Sequence, residues 1–307
     1  MQETVLSMTN ISKAYKKKPV LSDIHMTIPR GAIYGLAGSN GAGKSTLMRI
    51  ISGQTAADKG ELNLFGTIPV RNNTQIRHRM GILIEEPGFF HHMTAAENLE
   101  YYRLQFGVPG EERISEVLDL VGLSQTGKKK FGDFSMGMKQ RLGLALALLH
   151  SPEFLVLDEP INGLDPESIR EMRRVFLDLN KRQNVTLLIS SHILAELENI
   201  ATVYGFLSHG KLLQEITAEE LKKKCSTYID LQVTDSKQMC VVLEKDLGLT
   251  DYQVHPDGHI HIFHAMERGE EIARAAVMKG IGLKSLSSHA LNLENYYMNL
   301  MGGDTNV

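Results

Sequence analysis

The chain has no tryptophan, two cysteines and nine prolines in 307 residues. Cys225 and Cys240 share no CxxC spacing, which excludes a disulfide scaffold and a cysteine zinc site and predicts a reducing, cytoplasmic setting. Charge of one sign is also missing: 33 Lys and Arg stand against 36 Asp and Glu, a net of −3. That balance excludes a broadly basic phosphate-backbone binder or polybasic membrane anchor, so no nucleic-acid partner is expected. Apolar runs such as 144–149 fall far short of the ~20 residues that cross a bilayer. Residues 1–9 lack the apolar block of an export signal.

What is present suffices for about two domains, with 42% hydrophobic residues to build their cores. Residues 5–11, 24–28 and 32–36 read as strands with hairpin character, and 94–106 and 113–121 carry helical spacing. A helix-favouring run over 141–149 is stopped by Ser151-Pro152 before a strand at 154–157. A helix at 166–180, a buried strand at 185–190, a helix at 193–200 and strands near 203–207 and 211–213 complete an alternating α/β pattern. The charged segment 219–224 places a boundary near residue 217. Beyond it, strand, helix, strand, helix, strand predicts a small α+β module over 218–307.

The chemistry begins at Gly38-Ser39-Asn40-Gly41-Ala42-Gly43-Lys44-Ser45, which matches G-x-x-x-x-G-K-[ST] between an apolar strand and a helix from about Thr46. Its glycines let backbone N–H groups converge on phosphate oxygens, and the helix N-terminus adds a favourable dipole. Lys44 is expected on the β- and γ-phosphates, Ser45 on Mg²⁺ and Thr46 near the α-phosphate. Such a loop serves kinases, GTPases and transport ATPases alike, so later residues decide. Strand 154–157 ends in Asp158 and Glu159, which places Asp158 near the metal and Glu159, as general base, beside the terminal phosphate.

With those residues the chain resembles the nucleotide-binding subunits of ATP-binding cassette (ABC) transporters. Phe134-Ser135-Met136-Gly137-Met138-Lys139-Gln140-Arg141 stands where that family carries its LSGGQ signature; Ser135 and Gly137 match, whereas Met136 and Met138 depart. Asn162-Gly163-Leu164-Asp165 resembles the D-loop, Ser190-Ser191-His192 the switch histidine after a strand, and Tyr15 the aromatic stacked on adenine. The resemblance covers roughly residues 4–215. It implies a P-loop NTPase ABC ATPase domain over 1–217, with a helical subdomain at about 88–150, that uses ATP and Mg²⁺. It also implies two copies facing head to tail, one copy's P-loop and the other's Ser135, Met136, Gly137 and Met138 enclosing each ATP. Asp165 would join the halves, Glu159 would activate water and His192 would bond the γ-phosphate.

Where most ABC subunits carry glutamine, this chain has Glu85-Glu86-Pro87, with Glu85 as the metal-side residue. That glutamate and the Met-containing signature resemble the branch handling lantibiotics and bacitracin-like peptides. The resemblance implies peptide export through separate transmembrane permease subunits at the cytoplasmic face of the membrane. Phe89-Phe90-His91-His92 would line the groove for a permease helix or simply pack the core. A peptide-sensing module and an exporter subunit for an unrelated substrate are the alternatives. A soluble cassette acting on ribosomes or DNA fits less well, since one P-loop is present where two are usual. A small-molecule kinase would leave residues 135–141 and His192 unexplained.

Three further features stand outside that reading. His255, His259, His261 and His264 raise the question of a metal, but His259 and His261 alternate with Ile260 and Ile262, as on a solvated strand face. The lysine runs 16–18, 128–130 and 222–224 read as solvated surface. Residues 291–301 read as a closing helix.

Overall fold

The computed structural model describes residues 3–69, 74–85, 87–224, 228–263, 265–289 and 293–302. Cys225, Glu86, His264, Leu291 and Asn292, named above, lie outside them. The chain divides into two compact units, 1–218 and 219–307.

In the first unit β1 (Thr4–Tyr15) and β2 (Lys18–Pro29) form an antiparallel hairpin. Lys16 and Lys17 take positive φ, +49° and +69°, as both central residues of a type I′ turn do, so this lysine run is a turn as well as a surface. Next come β3 (Ile33–Ala37), α1 (Lys44–Ile51) and β4 (Lys59–Leu64), the last pairing back on β1 to give a β2-β1-β4 sheet. The middle segment carries α2 (Thr74–His78), β5 (Met80–Leu83), α3 (Ala95–Phe106), α4 (Glu112–Leu120) and α5 (Met136–Leu148). Then follow β6 (Phe154–Leu157), α6 (Pro166–Gln183), β7 (Thr186–Ser191), α7 (Leu194–Glu198), β8 (Val203–Ser208) and β9 (Lys211–Thr217). They complete a six-stranded sheet in the order β5-β6-β7-β3-β8-β9, parallel except for β9. The α/β architecture is therefore the one expected.

Every residue of β3, β6 and β7 is buried, because both faces of a parallel sheet are covered; hence their unbroken apolar runs. Helix ends follow local chemistry. Thr94 caps α3 in a reciprocal box, its hydroxyl accepting from the Glu97 N–H while Glu97 Oε2 accepts from the Thr94 N–H at 2.6 Å. Helix α5 begins at Met136, earlier than the apolar run suggested, because Ser135 caps it, its hydroxyl accepting from the Met138 N–H. Strand β4, polar and largely exposed, left no periodic signal and is held by pairing with β1.

The second unit follows α8 (Ala218–Lys224) with β10 (Tyr228–Val233), α9 (Ser236–Lys245), β11 (Tyr252–Val254), β12 (His259–Phe263), α10 (Gly269–Met278), β13 (Leu283–His289) and α11 (Leu293–Gly302). Its sheet is antiparallel, in the order β11-β12-β10-β13, with Ile229, Leu231, Ile260 and Ile262 turned into a core with Met239 and Leu243. The three-residue β11 is an addition to the expected pattern. The histidine face differs from the solvated surface anticipated: His259 Nδ1 lies 2.8 Å from Asp230 Oδ1 and His255 Nε2 lies 3.0 Å from His261 Nδ1. The cause is Asp230, directly across from His261 on β10. Among the described residues no group of three or more His, Cys, Asp or Glu could hold a metal ion, and no helix is long and apolar enough to cross a membrane.

One ion cluster fastens the strand starts of the first unit. Glu153, before β6, accepts from Arg79 Nε at 2.6 Å and from Arg30 Nη1 at 2.8 Å. The Arg79 hydrogen bond, assisted by Arg30, holds its carboxyl at about 2, against an ordinary 4.5. A depressed carboxyl contributes stability that is complete above 4.5 and is lost as pH falls through about 2. Glu153→Gln should therefore melt below wild type at pH 7, with the gap closing on acidification. A gap constant between pH 7 and pH 3 would refute this.

Candidate active site

Residues 38–43 turn from the end of β3 into α1. Gly43 is constrained twice: its φ is +112°, and a Cβ there would lie 2.8 Å from Leu21 Cδ2. The loop walls a cavity of about 280 Å³ that is also lined by Val20, Ser45, Thr46, Glu159 and Asn162. Lys44, buried at 6% exposure, donates to Gly38 O at 2.7 Å and Ser39 O at 3.3 Å, and its Nζ stands 3.2 Å from Glu159 Oε1. A buried ammonium needs such partners.

β6 delivers Asp158 and Glu159 to the same edge. Ser190, fully buried near the end of β7, donates its hydroxyl proton to Asp158 Oδ1 and accepts from the Glu159 N–H at 2.9 Å. Glu159 sits at φ +49°, a left-handed conformation unusual for a residue with a side chain. His192 follows β7, and its Nδ1 lies 2.8 Å from Glu159 Oε2. One carboxylate thus bridges the lysine of the loop and the histidine. Sequence reasoning placed Lys44, Asp158, Glu159 and His192, which the structure brings together, but singled out neither Ser190 nor Val20 and assigned Asn162 only to the D-loop.

Other expected residues stand apart. Tyr15 is exposed at the hairpin end, with Lys13 Nζ 5.5 Å from its ring centroid. Glu85 pairs with Arg49 Nη2 at 2.8 Å, although it shares a cavity of about 140 Å³ with Asp158 and Met136. Ser135 caps α5, Met136 is 61% exposed, and Met138 donates its N–H to Ser135 Oγ; residues 135–138 do not line the loop cavity. A Cβ on Gly137 would lie 2.6 Å from Ser168 Oγ, so the signature packs on the first turn of α6. Asp165 caps that turn by accepting from Ser168 N–H and Oγ and Glu167 N–H, and the Ser168 amide leads in holding its carboxyl below the usual range. Phe89 is buried against Tyr102 and Phe131, while Phe90 is half-buried against exposed Tyr101.

Amides and an ammonium able to receive phosphate charge, with a carboxylate opposite to manage a proton, define a P-loop nucleotide hydrolase. Known proteins narrow the class. The ABC transporter family model matches residues 21–162. The bacitracin transport ATP-binding protein BcrA of Bacillus licheniformis is 39% identical over 302 residues, 98% of this chain and 99% of that protein. The lantibiotic transport ATP-binding protein SrtF of Streptococcus pyogenes is 40% identical over 211 residues, 69% of this chain and 90% of its own. A dimeric ATP-binding cassette solved in a post-hydrolysis state with ADP and Pi shares the fold, with a TM-score of 0.62 at 22% identity over 69% of this chain and 98% of that one. The chain belongs to the ABC transporter ATP-binding family and is an ATPase.

Ser190 supports both carboxylate residues through one hydroxyl. Ser190→Ala should cost about 1–3 kcal/mol in denaturant unfolding, since two partly buried polar groups lose their partner. An unchanged midpoint would show that the hydroxyl is dispensable.

Proposed function

We propose that this chain is the ATP-hydrolysing subunit of an exporter that removes bacitracin- or lantibiotic-like peptides. It drives separate transmembrane permease subunits from the cytoplasmic face of the membrane. The observation that carries the ATPase mechanism is the carboxylate of Glu159 held between Lys44 and His192 at the phosphate loop. Support for the peptide is the similarity to BcrA along nearly the whole chain and to SrtF along the cassette. In this reading residues 1–217 form the ATPase and 218–307 an accessory module.

Glu159 and the γ-phosphate of ATP are both anionic and compete for the same two partners. Nucleotide entry transfers Lys44 and His192 to the phosphate and frees Glu159 to orient and deprotonate the attacking water. Loop amides and Lys44 then carry the charge that accumulates on the transferring group. The Ser45 hydroxyl lines the loop cavity and the Asp158 carboxylate follows the strand next to Glu159; both are hard oxygen donors that suit Mg²⁺, which binds few protein oxygens alongside phosphates. When bound, that ion neutralises phosphate charge. Glu85, paired with Arg49, stands outside this set.

A second copy supplies what the cavity lacks. Exposed Met136 and the capped start of α5 are braced on the Asp165 turn, so signature and D-loop present one surface to the partner's nucleotide. Tyr15 is open for stacking on adenine. For the permease, Phe90 with exposed Tyr101, Leu104 and Phe106 offers an apolar edge along α3.

Glu159→Gln should bind ATP and accumulate as a closed dimer while turnover falls on the order of 10²-fold or more. Lys44→Ala should instead weaken ATP binding itself, because a compact cation leaves the phosphates. Wild-type turnover in the first variant, or wild-type affinity in the second, would reject these assignments. Cells carrying Glu159→Gln in place of the native chain should lose resistance to bacitracin-like peptides; retained resistance would reject the substrate class.

A further inference from the structure

The turn carrying His192 is fastened by an acid that the mechanism above does not use. Glu196, on α7, is 6% exposed, and its Oε2 accepts the Ser191 hydroxyl at 2.9 Å. Ser191, 1% exposed, also accepts from the Ile193 N–H at 3.0 Å. The residues on both sides of His192 are therefore held by one hydroxyl. Its single proton has a second acceptor, Ile193 O at 3.2 Å, but the charged carboxylate makes the stronger bond.

A buried acid is a poor choice for stability alone, because burial costs hydration that one hydrogen bond repays only in part. Burial pushes the Glu196 carboxyl above its ordinary range; the Ser191 hydrogen bond opposes this most, nearby Glu159 adds to the rise, and Arg173 and His192 oppose it further. The acid is thus kept, against its own solvation, where it can hold the histidine turn.

We infer that Glu196 is a positioning residue for ATP hydrolysis: through Ser191 it locks the β7–α7 turn so that the His192 imidazole stands at Glu159 and, after nucleotide entry, at the terminal phosphate. This inference rests on the role given to His192 above. Without the bond the imidazole samples other positions, and a misplacement of about 1 Å can cost on the order of 10²-fold in rate. ATP binding depends on Lys44 and the loop amides, which Glu196 does not touch.

The test compares ATP turnover and ATP affinity of the full-length chain in Glu196→Ala, Ser191→Ala, Glu196→Gln, His192→Ala and the His192→Ala/Glu196→Ala double variant. Glu196→Ala and Ser191→Ala should lose about tenfold in kcat with Kd for ATP unchanged within about twofold. Glu196→Gln, whose amide oxygen still accepts the Ser191 proton, should keep most of the turnover. The double variant should be no slower than His192→Ala alone, since both changes act through one group. Wild-type kcat in Glu196→Ala and Ser191→Ala, or losses that multiply in the double variant, would overturn the inference. Should Glu196→Ala fail to fold, Ser191→Ala and Glu196→Gln decide by the same criteria. Normal turnover in His192→Ala would instead remove the role given to His192, a separate failure.

Discussion

Parallel pairing of three strands is the constraint on which the site depends. β7 lies between β3 and β6, with Ala37 beside Ser191 and Leu157 beside Ile189, so the loop, the carboxylates and the histidine all leave the sheet at one edge. Crevices at the carboxyl ends of parallel strands are where open α/β sheets bind ligands. The middle strand does more than space its neighbours. Gly38, which opens the phosphate loop, donates its N–H to Ser191 O, while Ser190 reaches the other way to Asp158 and Glu159. Two adjacent serines thus face opposite neighbours through backbone and side chain, and no separate scaffold is needed to keep the loop and the carboxylates in register.

Glu159 shows what this register makes possible. A left-handed φ costs a residue with a Cβ roughly 1–2 kcal/mol, and such strain persists only where the surroundings fix it. Here Ser190 holds its amide, and Lys44 and His192 hold its carboxylate. The side-chain partners are those that a terminal phosphate would take away. In the proposed mechanism phosphate entry removes the side-chain restraint, while the Ser190 bond to the Glu159 amide stays in place.

Much of this was legible in the sequence because phosphate chemistry demands consecutive residues. Gly38 to Ser45 form one continuous cradle, and Asp158 and Glu159 end an apolar run that could only be a buried strand. The apolar alternation of β10 and β12 was readable because a strand turns successive side chains to opposite faces and only one face is buried. What escaped were single side chains whose partners are remote in sequence: Ser190 meets Asp158 and Glu159 from 32 and 31 residues away. Asp230 lies 29 residues from His259, so the strand alternation that set the histidines on one face could not show that a carboxylate faced them. Glu85 illustrates the converse. Its place after β5 was visible, but its direction is set by Arg49 on α1, a cation that no motif marks.

The signature and the D-loop add a coupling that neither motif shows alone. Ser168 donates to Asp165 through both its amide and its hydroxyl, and the same hydroxyl abuts Gly137 at a distance that leaves no room for a Cβ. A larger residue at 137 would have to displace Ser168 and so disturb the cap of α6. The glycine of the signature is therefore required twice over: by close approach to its own chain's helix, and, in the proposed sandwich, by the surface offered to the second nucleotide. Since the Ser168 hydroxyl at that contact is itself held by Asp165, the close approach ties the start of α5 to the capped start of α6.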